Sequence, residues 1–305
     1  INGGTAMMRI LGIVGVQVCI CVPIIVFQFC KGKEFFSKEY WGYALRIGIP
    51  IVPHYLSGII LNQGDRIMID KMVGKTEVAL YGLAYSIGML VQLFISGMNS
   101  ALTPWMYSKI KKGDICSMRK VLQLLSVVVV GIAVALMLIS PELVLIFGSP
   151  KYREAVYVIP PVAASVFFIF IYNILSMPQF YYEKTQFLMA ASMAAAGANV
   201  VLNFIFIRLF GYIAAGYTTL ACYMLYSVGH YIVSKRILVN EGIQENLMSP
   251  GFLVASSVFL IGAIIICNLI FPYRILRYAI LLASAGLVFW KKELLLKTMA
   301  DIRKK

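Results

Sequence analysis

Val121-Leu-Gln-Leu-Leu-Ser-Val-Val-Val-Val-Gly-Ile-Ala-Val-Ala-Leu-Met-Leu-Ile-Ser140 is a run of twenty residues without a charge. A bilayer core about 30 Å thick is crossed by roughly 20 apolar helical residues, so this stretch has the length and character of a membrane span. Lipid offers no partner for exposed backbone groups, and no alternating ten-residue pattern suggests a barrel, so helices are required. The same template, moved outward in both directions, predicts about nine spans. They are approximately 6–29, 42–61, 78–103, 121–140, 155–177, 186–207, 213–234, 252–271 and 278–290. The last is short and is expected to extend into Lys291–Leu296, whose lysines would snorkel to the interface. Pro272-Tyr273-Arg274 must form a tight turn between the last two.

Composition agrees. Of 305 residues, 61% are hydrophobic and 13% charged, and the mean hydropathy is +0.85. Soluble domains carry about 45–50% apolar and about 25% charged residues, so a soluble enzyme, a disordered chain and a disulfide scaffold are excluded. The net charge of +14 sits between apolar runs, which points to an anionic membrane surface and not to nucleic acid. Cys19, Cys21, Cys30, Cys116, Cys222 and Cys267 lack paired metal-ligand spacing and read as small packing residues. No metal site or cofactor is expected, although a coupling ion of unknown identity is left open.

Lysine and arginine fall 17 to 9 in favour of the side bearing the C-terminus, with Arg46 inside a span. Positive charge marks the cytoplasmic face, so the C-terminus is expected in the cytoplasm and Ile1 outside. An odd number of preceding spans, such as five, would reconcile that placement with a native start. The connections are short, leaving no room for an extramembrane catalytic domain.

Polar residues inside apolar runs are costly unless they serve a cavity or a partner. In Tyr43-Ala-Leu-Arg46-Ile-Gly-Ile-Pro50-Ile-Val-Pro53-His54, Arg46 reads either as a snorkelling anchor or as a cation facing an aqueous cavity. Pro50 and Pro53 remove two backbone donors and bend the helix, as a gate or as a static kink. His54 is a packing residue or a proton carrier. Asp65 and Arg66 follow Asn62-Gln63-Gly64. They read as solvated charges, Arg66 pairing with Asp70 one turn on, or as the lining of a cavity's outer mouth. Asn99, Ser100 and Pro104 end the third span. Asn199 and Asn203, four apart among small residues, share one face and either pack helices together or line the cavity. Glu142, Glu154 and Glu183 are isolated, and no phosphate loop or catalytic triad is present, so no catalytic residue is assigned.

Leu45-Arg46-x-Gly-x-Pro50, Leu61-x-x-x-Asp65-Arg66-x-Met-Ile69, Tyr81-Gly-x-Ala84-Tyr85-Ser86-Ile87 and Asn99-x-Ala101-x-x-Pro104-Trp105 come in an order that resembles a known family. Glu142-Leu-Val-Leu-Ile-Phe-Gly148, Tyr182-x-Lys184-Thr185 and Asn199-x-x-Leu-Asn203 extend the likeness. The chain resembles the polysaccharide-export, O-antigen-type flippases of lipid-linked oligosaccharides, in the MOP superfamily shared with MATE multidrug transporters. Tyr85-Ser86-Ile87 stands where peptidoglycan-precursor flippases place an Asp-Arg pair, which argues for the polysaccharide branch.

The resemblance implies two six-helix bundles about a cavity. Residues 1–41 would then hold the last helix of the first bundle and a cytoplasmic linker, 42–236 the second bundle, and 237–305 two additional helices and a basic tail. It implies alternating-access flipping of an undecaprenyl-linked oligosaccharide across the bacterial cytoplasmic membrane, with no enzymatic step. Arg46, His54, Asp65, Arg66, Asn99, Asn199 and Asn203 are the candidate substrate residues, with Arg46 for the phosphate and Pro50 and Pro53 as the gate. The implied partners are the lipid-linked oligosaccharide, membrane lipids, the N-terminal bundle and other polysaccharide-assembly proteins. Competing expectations are a cation-coupled drug extruder, a membrane polysaccharide polymerase and a scaffold subunit.

Overall fold

A computed structural model describes residues 4–33 and 36–290 and finds helices joined by short turns, with no strand among the described residues. The helices are α1 Gly4–Gly32, α2 Lys38–Met72, α3 Lys75–Gly88, α4 Leu90–Lys112 and α5 Ile115–Phe147. A 3-10 segment, Pro150–Val158, leads into α6 Ile159–Tyr181, and α7 Thr185–Phe210, α8 Ala214–Asn240, α9 Pro250–Ile270 and α10 Arg274–Trp290 follow. Among the described residues, seven helical stretches are long and apolar enough to cross a membrane: Ile10–Gly32, Lys38–Met72, Lys75–Lys112, Ile115–Phe147, Pro150–Tyr181, Thr185–Phe210 and Pro250–Ile270. The protein is an all-α, multi-pass membrane protein. α8 is long enough but carries more polar side chains, and α10 has only 17 residues. The expected extension into residues 291–296 and the basic tail lie outside the described residues.

Local chemistry fixes the turns. Asp114 caps α5, its carboxylate accepting from the Ser117 N–H at 3.3 Å and from Lys109 Nζ at 2.6 Å. Gly113 closes α4 at φ 70°, a left-handed conformation that a Cβ disfavours. Ser249 caps α9 through the Phe252 N–H, and Pro250 occupies the first turn, where no donor is needed.

The structure revises several expectations. The third span runs as Lys75–Lys112 and is kinked at Met89, where α3 gives way to α4. Gly88 lets α3 approach α6 closely: a Cβ there would stand 2.6 Å from Val162 Cγ1. Asn99, Ser100 and Pro104 do not end that span, since α4 runs on to Lys112. The Ser100 and Thr103 hydroxyls bond back to carbonyls one turn earlier, keeping these polar groups satisfied inside the helix. The fifth span begins as a 3-10 segment, and α6 starts at Ile159 because Pro160 and Pro161 fit only its first turn. Of the six cysteines only Cys222 and Cys267 are buried.

The chain divides between Ile49 and Pro50 into two compact units. In the first, α1 is apolar on every side and exposed throughout its span, as befits a helix whose solvent is lipid. In the second, α6 is the central helix. Nearly all of its residues from Ile159 to Ile171 are buried, and Phe167 meets Phe168 edge-on at 5.1 Å. α5 and α8 pack on it. α9 is tied to α5 by Arg119, which donates to the Asn246 carbonyl at 2.7 Å, and by Gln123, which donates to Ser249 at 3.2 Å.

α10 is held by charge. Arg277, 3% exposed, grips Glu142 through two hydrogen bonds of 2.7 and 2.8 Å and donates to the Leu138 carbonyl at 2.7 Å. Glu142 is therefore not isolated. Its partner lies 135 positions away, beyond the reach of any local pattern.

Candidate functional site: a buried carboxylate beside a polar pocket

Four helices of the second unit bring polar side chains to one point. Asp65 on α2 is 0% exposed. Its Oδ2 accepts from the Tyr81 hydroxyl at 2.5 Å and from Thr219 Oγ1 at 2.7 Å, and its Oδ1 accepts from Asn203 Nδ2 at 2.5 Å. Asn203 Nδ2 also approaches Asn199 Oδ1 at 3.2 Å, and its own Oδ1 accepts from Thr218 Oγ1. Asn199 Nδ2 reaches Thr219 Oγ1 at 3.4 Å. Spacing explains the construction: Asn199 and Asn203 are one turn apart among buried small residues such as Ala195 and Ala196, and α7 packs on α8. Among the described residues no lysine or arginine forms an ion pair with Asp65. A buried carboxylate satisfied only by neutral donors remains expensive to keep charged.

Arg66, the next residue, points elsewhere. Its Nη1 donates to Gln63 Oε1 at 2.9 Å, and the guanidinium lies 5.1 Å from the centre of the Tyr85 ring. Its expected pairing with Asp70 is not formed, and Asp70 is exposed. Asp65 and Arg66 are thus not two lining residues of one mouth, because successive helix positions diverge by about 100°.

Arg66 instead lines a pocket of about 410 Å³ with Asn62, Gln63, Tyr85, Gln92, Tyr172 and Tyr223. Tyr85 and Tyr223 both donate to Asn62 Oδ1, at 2.8 and 3.2 Å. Arg66 Nε and Gln92 Oε1 are buried without a hydrogen-bond partner. Pocket and carboxylate share a scaffold: Tyr81 and Tyr85, one turn apart on α3, serve Asp65 and Asn62 respectively.

The other expected residues are neither hydrogen-bonded to Asp65 nor among the lining of the pocket. His54 is half-buried and bonded through Nδ1 to the Tyr226 hydroxyl at 3.2 Å. Tyr226 lies tilted against Tyr172 and edge-on to His230, and His230 Nδ1 meets Gln179 Nε2 at 2.8 Å, a chain of rings that sequence reasoning missed. Asn99 is half-buried on α4. α2 continues through Pro50 and Pro53, and the Pro53 carbonyl accepts from the Ser57 hydroxyl at 2.7 Å. Arg46 is exposed and belongs to the first unit. Among the described residues no group of acids, histidines and cysteines forms a metal cluster.

With this geometry in view, similarity to known proteins can be set beside it. Residues 5–110 match the family described as polysaccharide biosynthesis protein, a stretch that takes in Asp65, Arg66, Tyr81, Tyr85 and Gln92. Among curated proteins, the chain is 28% identical over 171 residues to the Lsg locus putative protein 1 of Haemophilus influenzae, covering 53% of this chain and 41% of that protein. It is also 28% identical over 190 residues to an uncharacterized membrane protein of the same organism, covering 58% of this chain and 46% of the other. The chain therefore spans less than half the length of these relatives. No solved structure matches it significantly.

Proposed function

We propose that this chain works as a transporter, not an enzyme, and is part of a carrier that flips a lipid-linked oligosaccharide across the bacterial cytoplasmic membrane by alternating access. The observation that carries this reading is the polar pocket around Arg66, set among membrane helices against a fully buried carboxylate. A polar recess and an intramembrane ionisable group mark a substrate or ion pathway far more often than a packing solution. The family match and the Lsg locus relative support a role in polysaccharide synthesis.

In this reading Arg66 and its amide and tyrosine neighbours hold the sugar portion. Asp65, with Asn199, Asn203, Tyr81, Thr218 and Thr219, takes up a coupling proton or monovalent cation, which would neutralise its charge. Arg46 meets the phosphate, and Pro50 and Pro53 give α2 its freedom to move. Two six-helix bundles would enclose the path, with residues 42–236 forming the second, the C-terminus in the cytoplasm, and other polysaccharide-assembly proteins as partners.

Gene disruption tests the proposal. The expected result is loss of surface polysaccharide, with lipid-linked oligosaccharide retained in the inner leaflet; normal polymer in the disrupted strain would refute it. Cation-coupled drug extrusion is the second reading and draws on Asp65 alone. It predicts raised drug tolerance on overexpression and unchanged polysaccharide on disruption.

A further inference from the structure

We infer that the Arg66 pocket is a subsite for a carboxylate-bearing sugar unit, a hexuronate or a related acidic glycosyl residue. The inference rests on the transporter reading for its biological setting but on the pocket's own chemistry for its ligand. Three features of the pocket converge on that class.

The first is charge. Arg66 is the single cation among the lining residues, and among the described residues no acid forms an ion pair with it. One guanidinium balances one monoanion and presents a planar fork that matches a carboxylate. A pyrophosphate carries two charges and calls for more than one cation. Arg66 is also held in place: Gln63 fixes Nη1, the Tyr85 ring lies 5.1 Å from the guanidinium carbon, and Gly82 leaves room beside Nε. The remaining nitrogens of such a braced guanidinium are pre-organised for an incoming anion.

The second is the aromatic wall. Tyr172 and Tyr223 lie nearly parallel, 9° between planes with centroids 6.2 Å apart, and both line the pocket. Rigid tyrosines with an apolar face and a polar tip suit a pyranose, which is apolar on its C–H face and hydroxylated at its rim. The third is the unpartnered acceptor. Gln92 Oε1 is buried without a donor, and a buried acceptor left empty costs about 1–3 kcal/mol until something bonds to it. A sugar hydroxyl supplies that donor. A cavity of about 410 Å³ has the size of a small-ligand site and suits one or two sugar rings.

Methyl glucuronide, methyl glucoside and glucose 1-phosphate, titrated separately into the detergent-purified protein and followed by saturation-transfer NMR, test the inference. Methyl glucuronide is expected to bind about tenfold more tightly than methyl glucoside, the difference one charge-assisted bidentate pair makes. Arg66→Gln should erase that preference, while Arg66→Lys should retain part of it. Gln92→Leu, which keeps the cation, should weaken both sugars by a similar factor. Equal affinity for the neutral and acidic sugars, a preference for glucose 1-phosphate, or a preference surviving Arg66→Gln would each overturn the subsite. Failure of the transporter reading looks different: uronide binding would persist in vitro while gene disruption left surface polysaccharide untouched.

Discussion

Asn203 Nδ2 stands 2.5 Å from Asp65 Oδ1, linking α7 to α2 across 138 positions of sequence at a point from which solvent is excluded. Through Tyr81 and Thr219 the same carboxylate also holds α3 and α8, so a change in its charge acts on contacts of α2, α3, α7 and α8 together.

Asp65→Asn keeps the shape of the side chain and removes the charge. If the carboxylate is a coupling group, this variant loses transport while remaining folded. Its thermal midpoint in detergent stays level or rises, by up to about 1–2 kcal/mol of stability, since a buried charge has been removed. Asp65→Leu, which strips acceptors from Tyr81, Thr219 and Asn203, should lower stability by about 2–4 kcal/mol. Full polysaccharide export by Asp65→Asn would remove the residue from the transport cycle.

The Arg277–Glu142 clamp predicts strong coupling between two distant substitutions. Arg277→Leu or Glu142→Leu alone leaves a charge without its partner and should cost about 3 kcal/mol. The double substitution should cost less than the sum, because neither orphan remains. Thermal melts of the four proteins, with proteolysis at the Phe271–Tyr273 turn as a local readout, measure the coupling directly.

Gly88→Ala places a methyl group 2.6 Å from Val162 Cγ1 and 2.9 Å from its Cβ. Both helices are packed there, so the expected cost is about 1–3 kcal/mol. Val162→Ala in the same protein should restore most of it, and absence of rescue would show that the cost does not come from this contact.

Arg46→Ala separates a phosphate-binding role from an anchoring one. With a substrate role, surface polysaccharide is lost while membrane abundance, read by immunoblot, is unchanged. Normal polymer would leave Arg46 as an interfacial anchor.

Fold class was legible because it rests on run length and composition, which are local. The pairing of Asn199 with Asn203 was legible for the same reason, since one helical turn puts them on one face. Asp65 and Arg66 were both singled out, but as neighbours in one mouth. Their divergence follows from the helix itself, but which of the two faces packs against α3, α7 and α8 is not encoded within α2. Tyr81, Thr218 and Thr219 were missed as partners of Asp65 because a tyrosine or threonine in an apolar helix usually satisfies itself locally. Only the one-turn spacing of Tyr81 and Tyr85, opposite the polar run from Asn62 to Arg66, hinted at a shared face. Arg277 went unnoticed because charges near a span end normally read as interfacial anchors.

The adjacency of Asp65 and Arg66 has an electrical consequence. Unoccupied, this turn of α2 holds one negative and one positive side chain. With a proton on Asp65 and a carboxylate on Arg66, the side chains and their cargo again sum to zero. A membrane potential does work only on net charge moved across it, about 2.3 kcal/mol per elementary charge per 100 mV. Binding of a proton and a carboxylate in that one-to-one ratio therefore leaves this turn of α2 without net charge, and the membrane potential does no work on its movement.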